Sequence, residues 1–482
     1  MDGFVERPGL IMFVNHVRKL HFLIVALSLI GFASTPLTAR ANDSFDPLRT
    51  HTAGNATPLP TQCPQTIDPA KSYTLNDIIA LALCHNPKTQ HSWERFLASQ
   101  ARLGSARGAY LPTIEGELNY GNNRGSATGS TTSTKPKETL TDALTLDYLL
   151  FDFGQREASV QRTKQTLLAA NYTHNTTLQS VIFDTLKSYY DFYGATAELD
   201  AAKESEESSK VSFDAASFRE QIGAAPMVEK LKAETAYSQA KLTRIQAENT
   251  LAKSKGALLT NIGFDSNQTI QLADPAMNEP TPETSKHSID EMITHAKTAH
   301  PSLLAAQANV DKSKSDLALA RRGLLPSISL NSSIGESHGL SNATFDHSTS
   351  TIGIQMSIPL FSGFSKIYDI NAARHDLAAA KAQQQQTAQS ISQDIWNAYQ
   401  DLDTINQNLV TTSDLLTSAT EAEKVALARY KSGAGSLIDL LDAQAQLASA
   451  RQQRVASTYN WYVSKANLLR AMGSLDSFKQ RD

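Results

Sequence analysis

The hydrophobic pattern along the chain changes period, and it does so twice in the same order. Residues 75–83 carry the apolar spacing of a short helix, with Thr74 as its N-cap. The pattern stops at Asn86-Pro87, because the residue before a proline is pushed out of helical geometry. A second helical pattern runs from about 88 to 110. After Pro112 the period drops to two: Ile114, Leu118 and Tyr120 alternate with Glu115, Glu117 and Asn119. A polar loop at 121–137 follows. Then Leu140, Leu144, Leu146, Tyr148 and Leu150 alternate with Thr141, Ala143, Thr145 and Asp147. From Gly154 to about Glu220 no proline occurs, which allows roughly 100 Å of helix at about 1.5 Å per residue. Leu178, Ile182, Thr185, Tyr189, Phe192, Thr196 and Leu199 keep steps of four and three, the rhythm of a coiled-coil seam. A return helix rich in Ala, Ser and Gln spans 226–262.

The second half repeats this order. Asn86-Pro87 recurs as His300-Pro301 and Leu111-Pro112 as Leu325-Pro326, each 214 residues later. Leu150-Phe151 recurs as Leu360-Phe361, and Gly223 as Gly433, each 210 residues later. One small deletion between otherwise constant offsets marks an internal duplication. In the second copy Ile328, Leu330 and Ile334 form the first strand pattern, and Ile352, Ile354, Met356, Ile358 and Leu360 the second. Phe364–Lys431 is the second long helix, with a seam at Ile391, Ile395, Ala398, Leu402, Ile405 and Leu409, and 436–472 is its return helix.

Four strands of about ten residues with a dyad repeat fit transmembrane β-strands. Alternation alone also fits one face of a soluble sandwich. In lipid an open sheet would leave its edge groups unpaired, and bacterial barrels have at least about eight strands. Membrane-spanning strands would therefore have to be shared among several protomers, and the helices that follow would continue the barrel as a helical tube.

Composition narrows the setting. Net charge is −4, which gives no sign of nucleic-acid binding. Arg18 and Lys19 precede the apolar run 21–32, and Ala39-Arg40-Ala41 offers a cleavage site, so 1–41 is expected to be a signal peptide. An uncleaved anchor helix is the alternative. No other window reaches the about 20 apolar residues of a spanning helix. Cys63 and Cys84 would then lie in an oxidising compartment, where a disulfide would tie the Pro-rich leader to the first helix. No Cys/His spacing of a zinc site accompanies them. No acyl-anchor cysteine follows the signal, and no cofactor motif appears. There is no P-loop or H-E-x-x-H either, so an enzyme is not expected.

The Leu-Pro strand entries, the turns LLFDFGQ (149–155) and PLFSGF (359–364), the paired repeats and RYKSGAGSLIDLLDAQ together resemble the TolC family of Gram-negative outer-membrane channels. The resemblance covers nearly all of 73–473. It implies an α+β membrane protein with four transmembrane β-strands and long coiled-coil helices per protomer. A homotrimer would form a 12-stranded β-barrel and an α-helical periplasmic tunnel. It implies a passive exit duct that docks with a periplasmic adaptor and an inner-membrane pump. The cysteine pair and the missing lipid anchor lean towards type I protein (toxin) secretion with an ABC transporter, as in channels that resemble the adenylate cyclase toxin exporter. A proton-driven multidrug efflux pump is the alternative. A secreted coiled-coil structural or adhesive protein is a more distant one, which the alternating strands oppose.

The family's functional residues map onto the hairpin at 428–444. Asp439 and Asp442 match the paired aspartates of the periplasmic constriction, and their i, i+3 spacing sets both on one helix face. Ser436-x-x-Asp439 also reads as a capping box, so Asp439 has a structural role open to it. Tyr430 matches the tyrosine of the aperture latch, and its acidic partner falls at Glu229. Ordinary packing at a helix end is the other reading of Tyr430. The latch arginine of some members falls at Gly435, so that link is missing. Gly223, Gly433 and Gly435 are expected to supply positive φ at the two hairpin tips, with Pro226 opening the first return helix. These tips would be the adaptor-docking surface. Arg429 and Lys431 beside them fit contact residues or solvated helix-end cations equally well. The expected organisation is signal peptide 1–41, leader 42–72, first repeat 73–264, linker 265–284, second repeat 285–473 and tail 474–482.

Overall fold

The computed structural model describes residues 66–123, 137–273, 288–339 and 347–475, with Asp46, Leu48, Thr50, Cys63 and Pro64. The expected signal peptide and most of the leader, linker and tail lie outside the described residues. The elements in order are β1 (Ser72–Tyr73), α1 (Leu75–His85), α2 (Pro87–Gly108), β2 (Thr113–Asn123), β3 (Lys137–Phe151), α3 (Gln155–Gln221), α4 (Met227–Asn261), β4 (Gln271–Leu272), α5 (Ile289–Ala299), α6 (Pro301–Arg322), β5 (Ser327–Gly339), β6 (His347–Ser357), α7 (Ser365–Lys431) and α8 (Leu437–Ala471). The duplication is exact in helix length. The two copies have helices of 11, 22, 67 and 35 residues in the same order. The length differences are confined to strands and loops.

Two compact units cut across this duplication, because each takes elements from both copies. The first unit, built from 101–163 and 315–374, holds an antiparallel sheet in the order β2-β3-β5-β6. Its register brings the apolar positions of all four strands to one face: Ile114 opposes Leu146, Leu144 opposes Ile334, and Leu330 opposes Ile354. Glu115, Glu117, Asp147 and Asn331 fall on the other face, because side chains alternate along a strand. The apolar face is open: Leu118 is 72% exposed and Ile354 71%. Among the described residues no second sheet covers it, as a soluble sandwich would require. Within this face Asp142 opposes Glu336, with the His338 ring 3.8 Å from the first and 3.5 Å from the second. Among the described residues the outer sides of β2 and β6 have no strand partner.

The strand-to-helix turns need two successive left-handed residues: Phe153 and Gly154 (φ 52° and 83°) in copy one, Gly363 and Phe364 (φ 61° and 65°) in copy two. The first turn is held by Asp152 and Arg156, both largely buried. The Asp152 carboxylate accepts the backbone N–H of Gly154 (3.1 Å) and of Arg156 (2.7 Å), and pairs with the Arg156 guanidinium (3.2 Å). That guanidinium also donates to the carbonyls of Leu149 (2.7 Å) and Leu150 (3.2 Å). From copy two, Arg322 donates to the Gly154 carbonyl at 2.6 Å.

The second unit holds the helical core. Thr74 caps α1 in a reciprocal capping box with Asp77, and Ser288 does the same for α5 with Glu291. Ile78 and Ala82 of α1, both fully buried, pack on Leu178, Val181 and Leu186 of α3 and Leu258 of α4. Met292 and Ala296, 214 residues later, pack on Ile391, Ile395 and Ala398 of α7. Cys63 and Cys84 are disulfide-bonded, with Cα atoms 5.7 Å apart. Beside this bond the His85 ring lies 2.7 Å from the Pro64 carbonyl. A parallel pairing of β1 with β4 had no counterpart in the sequence reading; it places Gln271 and Leu272 of the expected linker in a two-stranded sheet.

Candidate functional site: the two hairpin tips

Each long helix reverses into its return helix over five residues, and the two reversals use one hydrogen-bond scheme. In the first, Gly223 N–H donates to the Glu220 carbonyl, and Ala224 and Ala225 donate to that of Arg219. In the second, Gly433 donates to Tyr430, and Ala434 and Gly435 donate to Arg429. Gly223 (φ 72°) and Gly433 (φ 78°) take the left-handed conformation that this closure requires. Gly435 does not; its φ is ordinary, contrary to expectation. It is small for a different reason: a Cβ there would lie 2.9 Å from Arg429 Cβ and 3.2 Å from backbone. Pro226 is the N-cap of α4 and not its first helical residue.

Offset by 210, Glu220 corresponds to Tyr430 and Lys230 to Leu440. The first tip is closed by the Glu220–Lys230 ion pair at 3.4 Å. The second is closed by apolar packing of Tyr430 with Leu437 and Leu440, joined by Ala216 and Ala233 of the first hairpin. One pair of positions thus carries an ionic contact in one copy and a buried core in the other.

The acids fall on the opposite side of α8. Ser436 accepts the Asp439 N–H at 3.1 Å, which is half of the expected capping box. The reciprocal bond from the Asp439 carboxylate is absent. Asp442 accepts from Gln446 at 2.8 Å. Both carboxylates are exposed, while Leu437 and Leu440 on the other side are buried.

The expected Tyr430–Glu229 bond does not form within the chain. Tyr430 is only 4% exposed, and its buried hydroxyl has no hydrogen-bond partner. Its ring instead carries the Arg219 guanidinium, 5.0 Å from the centroid. A cavity of about 430 Å³ beside it is lined by Phe218, Arg219, Leu427, Tyr430, Lys431 and Leu440. Further up, Gln444 of α8 donates to Ser208 (2.8 Å) and Ser212 (3.0 Å) of α3. The sequence reading missed both cross-hairpin contacts. The one signal for Arg219 was its repeat equivalence to Arg429.

Four dyad-patterned strands with an open apolar face, followed by two pairs of long antiparallel helices, are the architecture of an outer-membrane channel. A family model described as outer membrane efflux protein matches residues 78–263 and 292–474. The chain belongs to that family. Protein CyaE of Bordetella pertussis is 28% identical over 417 residues, covering 86% of each chain. Outer membrane protein TolC of Escherichia coli is 21% identical over 422 residues, covering 84% of this chain and 83% of that one. The Campylobacter jejuni CmeC outer membrane channel superposes with a TM-score of 0.73 at 20% identity, over 88% of this chain and 91% of that one. The family is made up of channel proteins rather than enzymes. The chain is an outer-membrane exit duct with its helical tunnel in the periplasm. Among the described residues no helix is long and apolar enough to cross a membrane.

Proposed function

We propose that the duct works as a homotrimer serving type I protein secretion, with a periplasmic adaptor and an inner-membrane ABC transporter as partners. The observation behind the assembly is the pair of open edges. Neighbours in the sheet are antiparallel throughout, so β2 and β6 run in opposite directions. The β6 edge of one copy can therefore pair antiparallel with the β2 edge of the next, and three copies close twelve strands with no edge left in lipid. The support for secretion is that identity to CyaE, a type I secretion channel, is 28% against 21% to TolC.

In the trimer, Asp439 and Asp442 would form two stacked rings of carboxylates at the periplasmic entrance, which attract cations. Their exposure on the side of α8 opposite the tip core supports that role. The tips around Gly223 and Gly433 would meet the adaptor. Deleting the chain in its host tests the cargo. Loss of a protein from the culture supernatant, with drug susceptibility unchanged, is expected. Raised drug susceptibility with an unchanged supernatant would assign the duct to a proton-driven efflux pump.

A further inference from the structure

We infer that Arg219 is the residue that clasps the two hairpin tips together, and that it does so through the ring face of Tyr430 and not through the tyrosine hydroxyl. The inference rests on reading the tips as the closed periplasmic end of the duct. The two residues come from different hairpins, Arg219 from the end of α3 and Tyr430 from the end of α7. The guanidinium lies over the ring at 5.0 Å, within the distance at which a cation is held by the ring quadrupole. The hydroxyl is buried with nothing to bond, so it contributes no latch within the chain. The nearby acid that could draw the guanidinium away, Glu220, is committed to Lys230. Among the described residues Arg219 forms no ion pair.

The backbone makes the clasp rigid. The Arg219 carbonyl accepts two N–H groups of its own turn, from Ala224 at 2.8 Å and Ala225 at 3.2 Å. The Cα of Arg219 therefore moves only if the first tip unwinds. Its equivalent, Arg429, does the same backbone work in copy two, but its Cβ is packed on Gly435. An arginine at 435 has no room, since even a Cβ would clash with Arg429. The cation between the hairpins therefore comes from the first tip. Separating the tips requires the guanidinium to leave the ring, and the surrounding contacts of Tyr430 with Ala216 and Ala233 to part with it.

The test is single-channel conductance in planar bilayers, read beside the heat stability of the assembly. Arg219→Ala should shift the closed-to-open ratio about tenfold per chain towards open, between the values of an exposed and a fully desolvated cation–π contact, as the half-buried Arg219 implies. Arg219→Lys, which keeps a cation, should recover most of the closure. Tyr430→Phe keeps the ring and should conduct like the wild type, as should Glu229→Gln, whereas Tyr430→Leu should open. Heat stability of the assembly should stay within the wild-type range for Arg219→Ala, separating a clasp from general damage. Wild-type conductance in Arg219→Ala overturns the clasp. Opening by Tyr430→Phe overturns it in favour of a hydroxyl latch. A wild-type chain that forms no pore overturns the duct reading itself, and the clasp with it.

Discussion

Replacing Arg156 by alanine should loosen the first strand-to-helix turn, and the size of the effect can be worked from its contacts. The side chain is 12% exposed and its partner Asp152 7%. Two of its bonds end on groups that water reaches poorly: the Leu149 carbonyl at 2.7 Å and the Asp152 carboxylate at 3.2 Å. The bond to Leu150 ends on an exposed residue that water can satisfy. A charged hydrogen bond to a part-buried carbonyl contributes about 1.5–3 kcal/mol. Leaving a buried carboxylate unpaired costs about 3–5 kcal/mol. Asp152, however, keeps two backbone N–H donors and sits at the start of α3, where the helix dipole favours an anion. These retained bonds offset most of the second cost, so the net loss is about 3 kcal/mol. Urea unfolding of the purified chain in detergent, followed by tryptophan fluorescence, measures it. The double variant Asp152→Ala plus Arg156→Ala should lose less than the sum of the two single losses, because no charge is then stranded. A loss below about 1 kcal/mol for Arg156→Ala, or strict additivity in the cycle, would refute the account.

Three further outcomes follow from other parts of the molecule. Asp439→Asn with Asp442→Asn should weaken block by divalent cations in planar bilayers, and unchanged block would rule out a carboxylate ring. Cys63→Ser with Cys84→Ser opens a loop of 21 residues and should cost about 3 kcal/mol of stability; an unchanged urea midpoint would show that the leader contributes nothing. Burial pushes the His300 imidazole below its ordinary range, opposed by Asp394 and helped by Arg470. The unfolded chain then takes up the proton first, so stability present above about pH 6.5 is lost as pH falls through that value. His300→Asn, which installs the copy-one residue, should remove part of the difference between unfolding at pH 7.5 and 5.5; an equal loss in both proteins would exclude His300 as its source.

Element boundaries were legible wherever the backbone is punctuated by residues with one allowed conformation. Asn86-Pro87, Pro112, Gly223 and Gly433 place the helix and strand ends within a residue or two. The dyad pattern likewise put Ile114, Leu144, Leu330 and Ile354 on one face, because a pleated strand has no other way to sort them. The parallel pairing of β1 with β4 was not legible. Two-residue strands carry no period, and their partners stand 199 residues apart (Ser72 and Gln271). Gly435 misled for a related reason. A glycine beside a turn suggests positive φ, but here it answers to the side chain of Arg429, which only the folded hairpin brings close.

The tip contacts show what duplication hides from a sequence reading. Both copies keep the same backbone closure, since the carbonyls of Arg219 and Arg429 accept equivalent donors. That conserved scaffold allowed the side chains at the equivalent positions to diverge. Glu220 and Lys230 form an ion pair at the edge of the first tip, where each is about 30% exposed. Tyr430 and Leu440 form a core at the second, and Leu440 is fully buried. An exposed ion pair contributes roughly 0–1 kcal/mol and weakens with salt, whereas burying one large apolar side chain contributes roughly 1.5–3 kcal/mol. The second tip is therefore the firmer of the two and the first the more easily displaced. With Arg219 as the cross-link, parting the two hairpins breaks the Arg219–Tyr430 contact and the packing of Tyr430 on Ala216 and Ala233, while the Glu220–Lys230 pair, internal to the first hairpin, stays intact.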